Sequence, residues 1–150
     1  MIRDDIKAAT IAAMKGGDKE TTATLRMVSA SIKNRDIEAR TGGAPKDDDA
    51  LVTEVLQKMI KQRRESADLY RKGKREDRAE LEEGEIAVIE RFLPRQLSDA
   101  EAEEKIREIV AETGAGSMKD MGRVMGLVKE RFGISIEPAR ASALVKAALS

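Results

Sequence analysis

The stretch Asp47-Asp48-Asp49-Ala50-Leu51-Val52-Thr53-Glu54-Val55-Leu56-Gln57-Lys58-Met59-Ile60-Lys61-Gln62-Arg63-Arg64-Glu65-Ser66-Ala67 decides the fold class. Leu51, Val52, Val55, Leu56, Met59, Ile60 and Ala67 return every three or four residues, which places them on one stripe of an α-helix. The three aspartates at its head suit the positive end of the helix dipole. The stripe predicts a helix reaching Lys72, with Gly73 as its stop. Alternation of period two is missing and clusters of Val, Ile, Thr and aromatic residues are sparse, so strands are not expected.

The same period extends in both directions. Upstream, Ile2, Ile6, Ala9 and Ala13 predict a helix over 2–15 that Gly16-Gly17 ends. Asp18 can cap a second helix, reaching about Arg40, with Leu25, Val28, Ile32 and Ala39 inward. Thr41-Gly42-Gly43-Ala44-Pro45 is a break. Downstream, a fourth helix is expected over 75–93, with Leu81, Ile86, Ile89 and Phe92 inward and Gly84 inside it. Pro94 stops it, because proline disfavours helical geometry in the residue before it. Pro94-Arg95-Gln96-Leu97 is the candidate domain boundary. Ser98 and Glu101 then form a capping box, and Ala102, Ile106, Ile109 and Val110 make the next apolar face. After Gly114-Ala115-Gly116, Ser117 and Asp120 resemble another cap, followed by the stripe Met121, Val124, Met125 and Val128. Phe132-Gly133 closes that helix. Pro138 opens the last, whose inner face is Leu144, Val145, Ala148 and Leu149. The expected architecture is all-α, with a long-helix domain over 1–96 and a three-helix bundle over 97–150.

The 150 residues contain neither Cys nor His, so disulfides, thiolate zinc sites, Cys nucleophiles and His bases are excluded. Charged residues make up 37%, a value that invites disorder, but the periodic apolar positions argue for packed helices. No apolar run is long enough to span a membrane. The charged start, Met-Ile-Arg-Asp-Asp-Ile-Lys, lacks the apolar segment of a secretory signal, and a soluble cytoplasmic protein is expected.

Several features suggest chemistry and admit plainer readings. Gly114-Ala115-Gly116-Ser117-Met118-Lys119 lacks Walker spacing and reads as a helix connection. The many carboxylates between Glu80 and Glu112 specify no metal site and read as solvated helix faces, so no metal or cofactor is expected. The six internal methionines mostly fall on apolar stripes and read as core filler. Between Gln57 and Arg78 nine cations oppose four anions, a net of +5. Such a stripe can neutralise phosphates, or form a solvated face with pairs such as Lys61–Glu65 and Arg64–Asp68. From residue 98 to 150 eight cations oppose nine anions. With one Tyr and two Phe in the chain, base stacking is not a plausible mode of RNA recognition, so an RNA partner would be folded and held through phosphates and shape.

Four segments carry a resemblance to a known family. Leu25-Arg26-Met27-Val28-Ser29-Ala30-Ser31-Ile32-Lys33-Asn34 resembles the "LR…I…AIKN" signature of YqeY family proteins. Gln62-Arg63-Arg64-Glu65-Ser66-Ala67 is similar to their "KQR.ES" helix, and Glu85 through Leu97 to their "E…L..FLP.QL" hinge. Gly122-Arg123-Val124-Met125-Gly126 resembles the Gly-Lys-Val-Met element of the C-terminal part. The resemblance implies two helical domains, the second similar to the tRNA-contacting tail of GatB, the B subunit of the glutamine-dependent tRNA amidotransferase. The stretch Gly133 to Ala143 departs from the "GRADG" turn common in that tail. By this resemblance, a non-catalytic protein that binds tRNA or accompanies an amidotransferase is expected. Arg123 is the best carry-over, with Lys119, Lys129, Arg140 and Lys146 as neighbouring phosphate contacts. The alternatives are carbon–nitrogen ligase activity with glutamine as amide donor, for which Ser117 or Ser142 would have to serve as nucleophile, and an adaptor for another protein.

Overall fold

The computed structural model describes residues 1–45 and 47–150. Among them are seven α-helices and no strand: α1 Ile2–Lys15, α2 Lys19–Ala39, α3 Asp48–Lys72, α4 Glu76–Glu90, α5 Asp99–Thr113, α6 Met121–Phe132 and α7 Pro138–Leu149. A 3-10 turn at Met118–Asp120 leads into α6. The all-α class read from the periodicity is therefore the observed one. The chain divides into two compact units, Met1–Leu93 and Pro94–Ser150.

Local chemistry sets the helix starts. The Asp18 carboxylate accepts from the Thr21 N–H at 3.1 Å, and that of Asp47 accepts from the Ala50 N–H at 3.2 Å. Ser98 and Glu101 form the reciprocal capping box, each bond at 3.2 Å. Helix ends were less legible. Gly17 and Gly114, with φ of +72° and +68°, supply the left-handed residues that release the chain from α1 and α5. After α3 it is Lys74 that turns left-handed, at φ +58°, and not Gly73. Helix α4 ends at Glu90, short of the expected 93. Phe92 and Leu93 leave the helix and pack against the first unit's core. Ser117 makes no capping bond; Asp120 instead accepts from the Gly116 N–H at 3.1 Å.

In the first unit, Ile6 of α1, Leu25, Val28 and Ile32 of α2, six residues of α3 from Leu51 to Ile60, and Ile86 and Ile89 of α4 form one buried cluster. Leu81 is an exception to the expected inward face, at 59% exposed. Five residues before Ile86, at 100° each, it stands about 140° around the helix from the core. Met14, Met27 and Met118 are also exposed, while Met59 is buried. In the second unit Ala102, Ile106 and Ile109 meet Val124, Val128, Ala141, Val145 and Leu149. Ala148 faces outward and Ala141 takes its expected place.

Polar ties close each unit. The Arg3 guanidinium donates to both oxygens of Asp36 on α2, at 2.8 and 2.9 Å, and to both of Asp48 on α3, at 2.9 and 3.2 Å. The Ile2 N–H donates to Asp49 at 3.0 Å, so the first turn of α1 is fixed to the start of α3. In the second unit the Gln96 amide donates to the carbonyls of Pro94 and Ile134, at 2.9 and 2.7 Å. The Leu97 N–H donates to the Ser135 carbonyl at 2.8 Å. These bonds give a physical role to the Pro-Arg-Gln-Leu segment: it holds the loop between α6 and α7.

Two measurements check this packing. A Cβ at Gly84 meets nothing within 4 Å. Gly84→Ala should raise unfolding free energy by about 0.5–1 kcal/mol in denaturant titration, through helix propensity alone; a loss would mean that α4 needs the bare backbone there. Hydrogen bonding from Arg3 also holds the Asp36 carboxyl below the usual carboxylate range. The stabilisation from that lowered value is fully present above about pH 4 and is lost as pH falls through the folded-state value. Asp36→Asn should therefore be less stable than the parent at neutral pH, and the two midpoints should converge on acidification. A difference that stays constant down to acid unfolding would count against the Arg3 tie.

Candidate nucleic-acid interface

The five cations singled out in sequence are all in the second unit, but they are held differently. Arg123, on the exposed side of α6, donates to the Thr113 carbonyl and to Asp120, both at 3.2 Å. Arg140, at the start of α7, donates to the Leu97 carbonyl and lies 3.2 Å from the Asp99 carboxylate. It is half-buried and ties α7 to the chain entering α5, so it acts as a strut and presents little charge outward. Lys119, Lys129 and Lys146 are exposed and form no ion pair among the described residues. The five do not share one face. Six residues separate Arg123 from Lys129, or about 120° around the helix axis.

Four of the nine cations of the basic stretch 58–78 are paired within its own hairpin. Arg63 pairs with Glu85 at 2.8 Å, Arg64 with Glu90 at 3.2 Å, and Arg71 with Glu76 and Glu83 at 3.1 and 2.5 Å. Arg75 pairs with Asp77 at 3.2 Å. The hydrogen bonds that Arg71 donates to Glu76 and Glu83 raise its pKa further above its already high value. The pairs expected along α3, Lys61–Glu65 and Arg64–Asp68, are not formed; the arginines reach across to α4 instead. Lys58, Lys61, Lys72, Lys74 and Arg78 remain without an ion pair among the described residues.

Arginine thus does nearly all the pairing. Among the described residues lysine forms one ion pair, Lys105–Glu108 at 3.9 Å. The guanidinium fork fits carboxylates bidentately, whereas the lysine head is a hydrated point charge, so the fold binds the first and leaves the second in solvent. Sequence reasoning ranked Arg123 and Arg140 with the lysines because it could not see their carboxylate and carbonyl partners. It also gave no role to Gly122 and Gly126. Both are exposed on α6, and a Cβ at either would meet nothing within 4 Å. The described residues hold no group of three or more carboxylates placed to bind a metal ion. No helix is long and apolar enough to cross a membrane.

A small all-helical protein built as two compact units, with most of its lysines exposed and without an ion pair among the described residues, is the class these features define. The family model of Yqey-like proteins matches residues 3–149, and the chain belongs to that family. It is 34% identical over 116 residues to "Altered inheritance of mitochondria protein 41, mitochondrial" of Clavispora lusitaniae, covering 76% of this chain and 63% of that protein. The protein of the same name in Eremothecium gossypii is 36% identical over 103 residues, covering 69% of this chain and 52% of that one. An uncharacterized protein of Schizosaccharomyces pombe is 32% identical over 94 residues, 63% of this chain and 73% of that protein. The chain therefore spans roughly half to two-thirds of the mitochondrial relatives it matches.

These names overturn the expectation of a cytoplasmic protein. The reason lies in what a charged N-terminus can exclude. Mitochondrial leaders are amphipathic and basic, and composition cannot separate those from ordinary helices, so a charged opening stretch carries no information on compartment.

The Arg140 strut gives a direct check. Arg140→Gln should cost about 1–2 kcal/mol of stability by leaving the Leu97 carbonyl short of a partner. The same assay on Lys146→Gln should show no change beyond about 0.5 kcal/mol. Equal effects would mean that Arg140 is an ordinary surface cation.

Proposed function

We propose that this Yqey-like protein is a non-catalytic docking protein for folded RNA of the tRNA class, gripping phosphates with the second unit. One observation carries the reading: Lys119, Lys129 and Lys146 stand exposed while the neighbouring arginines are engaged by carboxylates and carbonyls. The resemblance of this part of the chain to the tRNA-contacting tail of GatB supplies the partner class. The bare backbone at Gly122 and Gly126 would let a ribose-phosphate strand approach α6 closely, with Arg123 beside it. Such contacts position RNA without reading its bases.

A mobility shift with bulk tRNA tests the reading. Three or four phosphate contacts predict an affinity that falls roughly 50-fold between about 50 and about 200 mM salt. Replacing Lys119, Lys129 and Lys146 together by Ala should flatten the logarithmic salt slope by about 3, at about 1 per contact. No shift at low salt, or an unchanged slope in the triple variant, would overturn the proposal.

A further inference from the structure

Two of the segments that resemble the family, Leu25–Asn34 and Gln62–Ala67, play no part in RNA docking, yet they meet in the first unit. Three links fix α2 and α3 as antiparallel. Arg3 joins Asp36 to Asp48, Arg35 lies 3.7 Å from Glu54, and Arg63 reaches the Met27 sulfur at 3.8 Å. Between these links runs a groove of about 580 Å³, a volume typical of small-ligand sites. Val55 and Met59 line its floor; both are buried.

The polar lining has a direction. Glu38, with Thr41 and Gly42, marks one end. Arg35 and Glu54 face each other in the middle. Arg35 has only 17% of its side chain exposed and is steadied by a bond to the Gly43 carbonyl at 3.3 Å. By the same antiparallel register, Lys58 stands opposite Ser31, and Gln62 lies one turn further along α3. Lys58, Asn34 and Gln62 have no side-chain partner among the described residues, so a cation and two amides line the groove uncommitted. From Glu38 back to Ser31 is seven residues, or about 10 Å of helix. One end is therefore anionic and the other cationic, with the Asn34 amide and the Arg35–Glu54 pair between them and the Gln62 amide just past Lys58.

We propose that this groove binds a short zwitterionic peptide in extended form, its ammonium at Glu38 and its carboxylate at Lys58. Three extended residues span about 10 Å, which matches the offset of the two charged ends along the helix direction. The Asn34 amide offers a donor and an acceptor, the pair that a peptide unit requires, and the Gln62 amide past Lys58 can donate to the carboxylate. The middle pair keeps the lining electrically balanced, with two cations and two anions, which disfavours a phosphate-bearing ligand and suits one of zero net charge.

The test is an amide-shift titration of the full chain with trialanine. N-acetyl-trialanine, trialanine amide and AMP serve as comparison probes. Saturable shifts at Ser31, Asn34, Arg35 and Gln62 are expected with trialanine, at an affinity in the millimolar range. Blocking either end of the peptide should weaken binding about threefold to fivefold, as expected for loss of one exposed ion pair. Glu38→Gln and Lys58→Gln should do the same; both side chains are exposed, so the fold is not at risk. No saturable shift with trialanine at concentrations well above the millimolar range would overturn the proposal. So would tighter binding of AMP, or indifference to both end-blocking and both substitutions.

Discussion

Burial of one face of α3 is the interaction on which the first unit depends. Leu51, Val52, Val55, Leu56, Met59 and Ile60 lose nearly all contact with water. Each such burial is worth about 1.5–3 kcal/mol, an upper range because unfolded chains already hide some apolar surface. The exposed ion pairs around it contribute about 1 kcal/mol or less apiece. Apolar contact therefore fixes where α1, α2 and α4 lie against α3, and charge can only adjust the result. That ordering explains why a chain with 37% charged residues folds at all.

The charges then sort by type. Arginines bridge neighbouring helices: Arg3 between α2 and α3, Arg63 and Arg64 from α3 to α4, Arg131 from α6 to Glu112 of α5 at 2.8 Å. Lysines are left in solvent. A formal net charge of zero thus conceals two populations, one spent on the fold and one available to a partner. Counting charges along the sequence mixes them. The net +5 of 57–78 admitted a phosphate-binding stripe or a solvated face, and four of its nine cations are matched by carboxylates.

This marks the boundary of what the sequence made legible. Helix starts were readable because a cap is a local arrangement: Asp18, Asp47 and Ser98 act within three residues of themselves. Core stripes were readable where the apolar period was strong, as in α3. They failed in α4, where Leu81 and Ile86 are both apolar and only packing tells which one faces inward. Helix ends failed for a related reason. Pro94 forbids helix just before it, but α4 stops earlier because Phe92 and Leu93 gain more by packing on the core than by continuing the turn. Long-range partners lay out of reach. Nothing local shows that Arg140 serves the Leu97 carbonyl, or that Ser31 and Lys58 face one groove.

The two polar regions of this surface differ in kind. Lys119, Lys129 and Lys146 of the second unit are exposed, of one sign and without an ion pair among the described residues, so on the proposed reading they meet a polyanion through its phosphates. Release of counterions would drive such an encounter, and salt would oppose it. The groove of the first unit is compact, contains both signs and has fixed polarity, so it favours a ligand of matching length and opposite order. A zwitterion releases few counterions, and its affinity should depend far less on salt. The two regions therefore answer to different physical variables, ionic strength for one and ligand end groups for the other.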